Sequence, residues 1–183
     1  MLSVIVGGAA SGKSAYAENL VLSLEGPRVY VATMQPWDDE CLARIGRHRA
    51  RRASQGFRTL ECYRNLASLD VDPGSNVLLD CVGNLLANEL YAPDVTDYAA
   101  AAERVANSIV TGVRHVAAAS ANLTVVTNEV GMAGVRYEGQ TLPYLMALAL
   151  VNRTIAAKAD FVCEVVAGLP NVLRDARAVP CAH

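Results

Sequence analysis

The residues whose types and spacing best suit chemistry form a short string near the start of the chain. It reads Gly7-Gly8-Ala9-Ala10-Ser11-Gly12-Lys13-Ser14, which matches G-x-x-x-x-G-K-[ST] between an apolar run and an amphipathic stretch. In such a P-loop, successive backbone N–H groups turn toward phosphate oxygens and the following helix adds its positive dipole end. We predict that Lys13 grips the phosphates of a nucleotide and that the Ser14 hydroxyl ligates Mg²⁺. The alternative is a glycine-rich turn that merely joins a strand to a helix.

A second magnesium ligand is predicted at the end of a later apolar run. Val77-Leu78-Leu79-Asp80 reads as a strand ending in a carboxylate, as a Walker B segment does. In P-loop proteins an Asp at such a place also holds the metal ion. The alternative is that Asp80 only caps the following helix.

A basic segment with one histidine is the next candidate for chemistry. Its acidic start and arginine-rich end suit a helix dipole, which predicts a helix from about Asp38 to Ala53. On a helical wheel two sides separate, the first with Leu42, Ile45 and Arg49, the second with Arg44, His48, Arg51 and Arg52. Neighbouring arginines disfavour protonation of His48, and the neutral imidazole is the nucleophilic form. Composition alone favours the alternative, a solvated basic face with an incidental histidine.

The elements that must position these residues alternate along the chain. Short β-rich apolar runs predict strands at Leu2 to Val6, Val29 to Ala32, Val77 to Leu79, Leu123 to Thr127 and Phe161 to Val166. Helical patterns separate them, so right-handed βαβ units are expected. We predict an α/β fold of the P-loop NTPase class, RecA-like, with a mostly parallel central sheet flanked by helices. No composition break divides residues 1–183, which are expected to form a single nucleotide-binding domain.

Composition narrows the function classes. A net charge of -2 gives no reason to expect nucleic acid or a membrane surface as a partner. The five cysteines form no C-x-x-C pair, which argues against both a disulfide framework and a zinc site. The start at Met1 has no charged leader, and the apolar run from Tyr144 to Val151 is too short to span a bilayer. A cytoplasmic location without a membrane span is expected.

Taken together, these segments resemble the bifunctional adenosylcobinamide kinase and adenosylcobinamide-phosphate guanylyltransferase family of cobalamin synthesis. The resemblance covers nearly the whole chain. The segments that carry it, besides the P-loop, are Val29 to Thr33, Asp38 to Glu40, Arg44 to Arg52, Arg58 to Glu61, Leu78 to Cys81, Val126 to Met132 and Ala159-Asp160. The strings around His48 and Asn128 are more specific than the P-loop.

The resemblance implies a reaction and a set of contacts. It implies that His48 is guanylylated to a GMP–histidine intermediate, with GTP, ATP and Mg²⁺ in use and adenosylcobinamide or its phosphate as the partner substrate. It implies a trimer with active sites near subunit interfaces. The nucleotide contacts it implies beyond the P-loop are Ala32, Thr33, Met34, Arg49, Ala50, Arg51, Arg52, Glu61 and Asp80.

The sequence departs from the family pattern in three places. Ala10 stands where the P-loop usually has Arg, and Gly83-Asn84 replaces a Thr-bearing segment. The stretch from Arg136 to Leu150 lacks the expected charged helix, although Asn152 is retained. Two alternative functions therefore stay open: a P-loop kinase acting on another hydroxyl, and a non-catalytic GTP-binding subunit.

Overall fold

The computed structural model describes residues 1–36, 39–130 and 137–176 of the chain. Within the helix over residues 39–54, some side chains also lie outside the described part, namely those of Asp39, Glu40, Cys41, Ala43, Arg44, Arg47, His48 and Arg51.

Strands and helices alternate along most of the described chain. The strands are β1 (Leu2–Gly7), β2 (Arg28–Ala32), β3 (Phe57–Glu61), β4 (Asn76–Asp80), β5 (Asn122–Asn128), β6 (Phe161–Val166) and β7 (Leu169–Asp175). The helices are α1 (Lys13–Leu22), α2 (Asp39–Ser54), α3 (Val82–Leu90), α4 (Tyr98–Ala119) and α5 (Thr141–Lys158), with a 3₁₀ turn over Leu66–Ser68.

All seven strands belong to one sheet in the order β3-β2-β4-β5-β1-β6-β7. Every neighbouring pair is parallel except β6 and β7, which form an antiparallel hairpin. The predicted mostly parallel sheet flanked by helices is therefore confirmed. Because β5 lies between β1 and β4, the carboxyl ends of these three strands meet at one edge of the sheet, where ligands of such sheets bind.

Two apolar cores cover the two faces of this sheet. On one face α3, α4 and α5 pack on alternate strand residues, including Val4, Leu79 and Val125. On the other face α1 contributes Ala17 and Val21 against a smaller cluster around Ile5, Leu78 and Val126. Strands buried on both faces must be apolar at successive positions, which is why these runs were visible in the sequence.

The five predicted strands are confirmed, but β3 and β7 were not predicted as strands. β3 carries only one buried residue, Phe57, and the residues of β7 are mostly exposed. An edge strand exposed to solvent produces no continuous apolar run, so neither segment has the pattern used to predict a buried strand. The helix predicted from about Asp38 to Ala53 is confirmed as α2, one residue displaced at each end.

Two expectations about chemistry and location can be compared with the described residues. Cys62, Cys81 and Cys163 are buried free thiols, as expected, while Cys181 and the side chain of Cys41 lie outside the described part. Within the described ranges no helix is both long and apolar enough to cross a bilayer.

Candidate active site

The P-loop joins β1 to α1 in a tight turn of unusual backbone conformation. Ala10 has φ 55° and Gly12 has φ 91°, so two residues of the loop lie in the left-handed region. A Cβ on Gly7 would lie 2.5 Å from the Val165 carbonyl oxygen, which leaves no room for a side chain there. These turns direct backbone N–H groups to one side of the loop, ahead of the α1 N-terminus, as an anion site requires.

The β6–β7 hairpin supports the P-loop from the neighbouring strand. The Gly168 amide donates a hydrogen bond to the Ser11 carbonyl oxygen at 2.8 Å. A Cβ on Gly12 would lie 3.3 Å from the Gly168 Cα, so the two backbones are in close contact. The conformation of the loop therefore depends on a turn more than 150 residues later in the chain.

Lys13 is nearly buried at the start of α1, with 9% of its surface exposed. Its Nζ donates to the Gly8 carbonyl oxygen at 3.0 Å, which holds the ammonium group over the loop. Ser14 follows directly and lines the same cavity. A fixed ammonium beside a cluster of backbone amides is suited to bind the phosphates of a nucleotide.

Asp80 ends β4 and is oriented by a tyrosine from the adjacent strand. The Tyr30 hydroxyl donates to Asp80 Oδ2 at 3.0 Å. Burial, followed by the negative charge of Asp80, raises the pKa of Tyr30 well above its usual range. The phenol therefore stays protonated and remains a donor to the carboxylate, which keeps Asp80 in one orientation.

The Tyr30 ring also binds a cation from α2. The Arg52 guanidinium carbon lies 3.5 Å from the ring centroid, and only 5% of Arg52 is exposed. Arg52 Nε is buried and has no hydrogen-bond partner among the described residues. A stack of this kind links α2 to β2 and, through Tyr30, to Asp80 on β4.

A cavity of about 700 Å³ opens at this edge of the sheet. Nine of the predicted site residues line it: Ala10, Lys13, Ser14, Ala32, Met34, Arg49, Arg52, Glu61 and Asp80. The other predicted residues do not line it, namely Gly7, Gly8, Ala9, Ser11, Gly12, Thr33 and Ala50. Thr33 is buried, and its hydroxyl pairs with the Cys81 backbone. Arg51 and His48 have side chains outside the described part.

The predicted division of α2 into two sides is wrong for Arg52. The wheel placed Arg52 opposite Ile45 and Arg49, yet all three line the cavity. Residues seven positions apart are separated by about two helical turns and so share a face, and Arg49 falls between them. Leu42, predicted to share the side of Ile45, is 52% exposed and does not line the cavity.

Residues that the sequence reasoning did not assign to the site also line the cavity. They are Glu18, Tyr30, Ile45, Thr59, Tyr63, Cys81, Asn84 and Asn128. Two had a usable signal: Glu18 stands four residues after Ser14 on one helix face, and Asn128 follows a predicted strand at its carboxyl end. Thr59 and Tyr63 depend on β3, a strand that the pattern did not reveal.

Cys81 is the described thiol that lines the cavity, and its protonation limits what it can do. Burial, followed by the Asp80 carboxylate, raises its pKa to about 11. Because the thiolate is the reactive form, this thiol is a poor nucleophile near neutral pH.

The cavity offers a hydroxyl and a carboxylate to a divalent cation. Ser14 and Asp80 both line it, and Tyr30 occupies Oδ2 of Asp80 and leaves Oδ1 without a described partner. No group of three or more His, Cys, Asp or Glu side chains suited to a metal occurs among the described residues. A magnesium ion bound together with phosphates and waters takes only one or two protein oxygens, which Ser14 and Asp80 could supply.

A model of the family described as cobinamide kinase / cobinamide phosphate guanyltransferase matches residues 3–173. The chain belongs to this family. It is therefore an α/β protein of the P-loop type and a transferase, in a family of kinase and guanylyltransferase enzymes of cobalamin biosynthesis.

Three curated relatives agree with the family match. The chain is 37% identical over 180 residues to the bifunctional adenosylcobalamin biosynthesis protein CobU of Salmonella typhimurium, with 92% of this chain and 97% of that protein covered. The Escherichia coli protein of the same name is 36% identical over 179 residues, with 92% and 97% covered. The bifunctional adenosylcobalamin biosynthesis protein CobP of Pseudomonas aeruginosa is 31% identical over 177 residues, with 95% and 98% covered.

Proposed function

We propose that this chain phosphorylates adenosylcobinamide and then transfers GMP from GTP to adenosylcobinamide phosphate through a GMP–histidine intermediate on His48. One observation carries the proposal. A single cavity is lined by Lys13, Ser14 and Asp80 on one side and by Arg49 and Arg52 of α2 on the other. α2 is the helix that contains His48, so both sets of groups can serve one nucleotide.

The P-loop side supports the kinase step. Phosphoryl transfer depends mainly on positioning and on neutralising charge, which the backbone amides of the loop and Lys13 supply. Ser14 and Asp80 would hold Mg²⁺, which neutralises charge on the phosphates when it is bound. The orientation of Asp80 by Tyr30 favours a fixed position for that ligand. The kinase step is proposed to take ATP or GTP.

The α2 side supports the guanylyl step. Position 48 stands three residues after Ile45 and four before Arg52, and both of those residues line the cavity. Residues three and four apart share a helix face, and this spacing supports His48 as the proposed nucleophile. Arg52 lines the cavity, and its guanidinium would bind a phosphate oxygen through a charge-assisted hydrogen bond. Cys81, with its raised pKa, is a weak competitor for the role of nucleophile.

The two bond changes of the guanylyl step balance without a further reactant. A His48 ring nitrogen attacks the α-phosphorus of GTP, the N–P bond forms and pyrophosphate leaves with the electron pair of the broken P–O bond. A phosphate oxygen of adenosylcobinamide phosphate then attacks the same phosphorus, and the histidine leaves. The product is adenosylcobinamide-GDP, and His48 is regenerated.

Other parts of the assignment complete the proposal. Arg49, Ala50, Arg51, Glu61 and the Ala32 to Met34 turn are proposed nucleotide contacts. We propose a single domain over residues 1–183 in the cytoplasm, and a homotrimer. The exposed Leu169 and Leu173 on β7, at 72% and 59%, support an assembly that covers apolar surface.

The test is incubation of the protein with GTP labelled at the α or the γ phosphorus. We expect label from the α position alone to remain on the protein, in a bond that is labile to acid and stable to base. Intact-mass analysis should show one GMP added. His48→Ala should lose this adduct while retaining phosphoryl transfer to adenosylcobinamide.

The matched control is His115→Ala, on α4. His115 Nε2 contacts the Leu69 carbonyl oxygen, and neither residue lines the cavity. His115→Ala should form the GMP adduct at the wild-type rate. Retention of the adduct by His48→Ala would refute the assignment, and γ-phosphoryl transfer without any adduct in the wild type would leave only a kinase.

A further inference from the structure

The end of β5 brings an amide side chain into the cavity. Asn128 lines it together with Lys13 and Asp80. In the sheet Asn128 is the register partner of Gly7, and the Glu129 amide donates to the Gly7 carbonyl oxygen at 3.0 Å. Since β5 separates the P-loop strand from the Asp80 strand, the fold sets Asn128 between the phosphate loop and the carboxylate.

The backbone at Asn128 is held in place by a side chain from α5. Asn152 Nδ2 donates to the Asn128 carbonyl oxygen at 3.1 Å, and the Thr127 hydroxyl donates to Asn152 Oδ1 at 2.6 Å. The hydrogen bond from Asn152 uses the backbone carbonyl of Asn128 and leaves its side-chain amide out of this contact. Because the backbone is fixed, the side-chain amide can offer one strong acceptor and two donors to a ligand at a set position.

Gly83 at the start of α3 provides the space that this amide occupies. A Cβ on residue 83 would lie 2.8 Å from Asn128 Nδ2 and 3.1 Å from Tyr144 Oη. Any larger residue would therefore displace the end of the Asn128 side chain.

We propose that Asn128 is a catalytic residue of the kinase step, which accepts a hydrogen bond from the acceptor hydroxyl and donates one to a γ-phosphoryl oxygen. The inference rests on the proposed kinase function and assigns a residue to it. An amide can make both bonds at once, because its carbonyl oxygen accepts while its NH₂ group donates. A carboxylate in its place would repel the γ-phosphoryl group.

The bond changes show why this contact serves only one of the two reactions. The acceptor oxygen forms a bond to the γ-phosphorus, the bond from that phosphorus to the β-phosphate oxygen breaks, and its electron pair stays on the nucleoside diphosphate. The hydroxyl proton passes to an oxygen of the transferred phosphoryl group, and Asn128 only orients the reactants and stabilises charge. GMP attachment to His48 involves no hydroxyl acceptor, so it does not need this amide.

The test compares Asn128→Ala and Asn128→Asp with the exposed control Asn107→Asp on α4. Transfer of γ-labelled phosphate to adenosylcobinamide gives kcat and KM, and intact mass gives the rate of GMP attachment. Asn128→Ala should lower kinase kcat by about 100-fold, the loss typical of one transition-state donor. Its KM for nucleotide should stay within about threefold, since the interaction belongs to the transition state. GMP attachment should be unchanged, and Asn128→Asp should lose at least as much kcat.

A second pair of variants tests the position of the Asn128 amide, with one variant that displaces it and one control. Gly83→Ala should lower kinase kcat by displacing Asn128, whereas Tyr144→Phe, which removes the other neighbouring group, should stay within about twofold of the wild type. Wild-type kinase kcat in Asn128→Ala with normal GMP attachment would overturn the inference and leave the proposed function standing. A wild-type protein that attaches GMP but has no kinase activity would overturn the inference together with the kinase half of the proposed function. Absence of any GMP adduct in the wild type would instead overturn the proposed function.

Discussion

On one side of the cavity Lys13 and Asp80 follow buried parallel strands, whereas on the other side Arg49 and Arg52 belong to a helix that packs mainly on the edge strand β3. The first wall is fixed by the sheet and by both apolar cores. Among the described side chains, the second is held by the Arg52 stack on Tyr30 and by a half-exposed ion pair between Arg49 and Glu61. The groups needed by both reactions thus lie on the first, rigid wall, and the proposed nucleophile belongs to the α2 wall.

The largest effect should come from the rigid wall. Lys13→Ala removes the buried ammonium that serves both reactions, so we expect kinase and guanylyl rates to fall by about 10³-fold. The melting temperature should change little, since the hydrogen bond that Lys13 makes among the described residues is the one to the Gly8 carbonyl oxygen. Lys158→Ala, at the exposed end of α5, is the control for loss of a lysine. Comparable losses in the two lysine variants, or full activity of Lys13→Ala, would contradict the comparison.

A smaller and more selective effect is expected from the α2 wall. Arg52→Ala removes a cation–π contact worth about 0.5 to 2 kcal/mol, so GMP attachment should slow by roughly tenfold while the kinase rate changes less. The measurement is single-turnover GMP attachment beside the kinase assay, with Arg114→Ala on α4 as the control. An equal loss of rate in both reactions would contradict the expected difference between the two walls.

The smallest effect on activity should come from changing Tyr30, which contacts Asp80 on one wall and Arg52 on the other. Tyr30→Phe keeps the ring under Arg52 but removes the hydrogen bond to Asp80, worth about 1 kcal/mol. The Mg²⁺ concentration for half-maximal kinase activity should therefore rise about fivefold, with Tyr98→Phe as the control.

The same variant tests protonation. Burial and Asp80 raise the pKa of Tyr30 above its ordinary value of 10.0, so the neutral phenol persists as the pH rises through that value. Any loss of wild-type kinase activity near pH 10 should therefore also occur in Tyr30→Phe. A loss confined to the wild type would show that the phenol titrates at its ordinary pKa.

The sequence predicted the wall that depends on buried strands better than the wall that depends on α2. Lys13, Ser14 and Asp80 follow apolar runs and a motif with a strict spacing, and all three line the cavity. Tyr30 could not be predicted as a site residue, because its role requires β2 to lie beside β4. Local periodicity in the sequence does not reveal the order of strands in a sheet. Arg52 was assigned to the wrong side of the helical wheel, since its spacing of seven residues from Ile45 puts both on one face. The stack of Arg52 on the Tyr30 ring belongs to that face.

The contact between Gly168 and Ser11 joins the last described strand pair to the loop that follows the first strand. The two regions come together only once the whole sheet has been assembled, because β6 and β7 are the latest described elements to leave the ribosome. A nascent chain without this hairpin would have a P-loop that lacks the hydrogen bond from Gly168 to Ser11. Phosphate binding is therefore expected to mature only after the β6–β7 hairpin has folded beside β1.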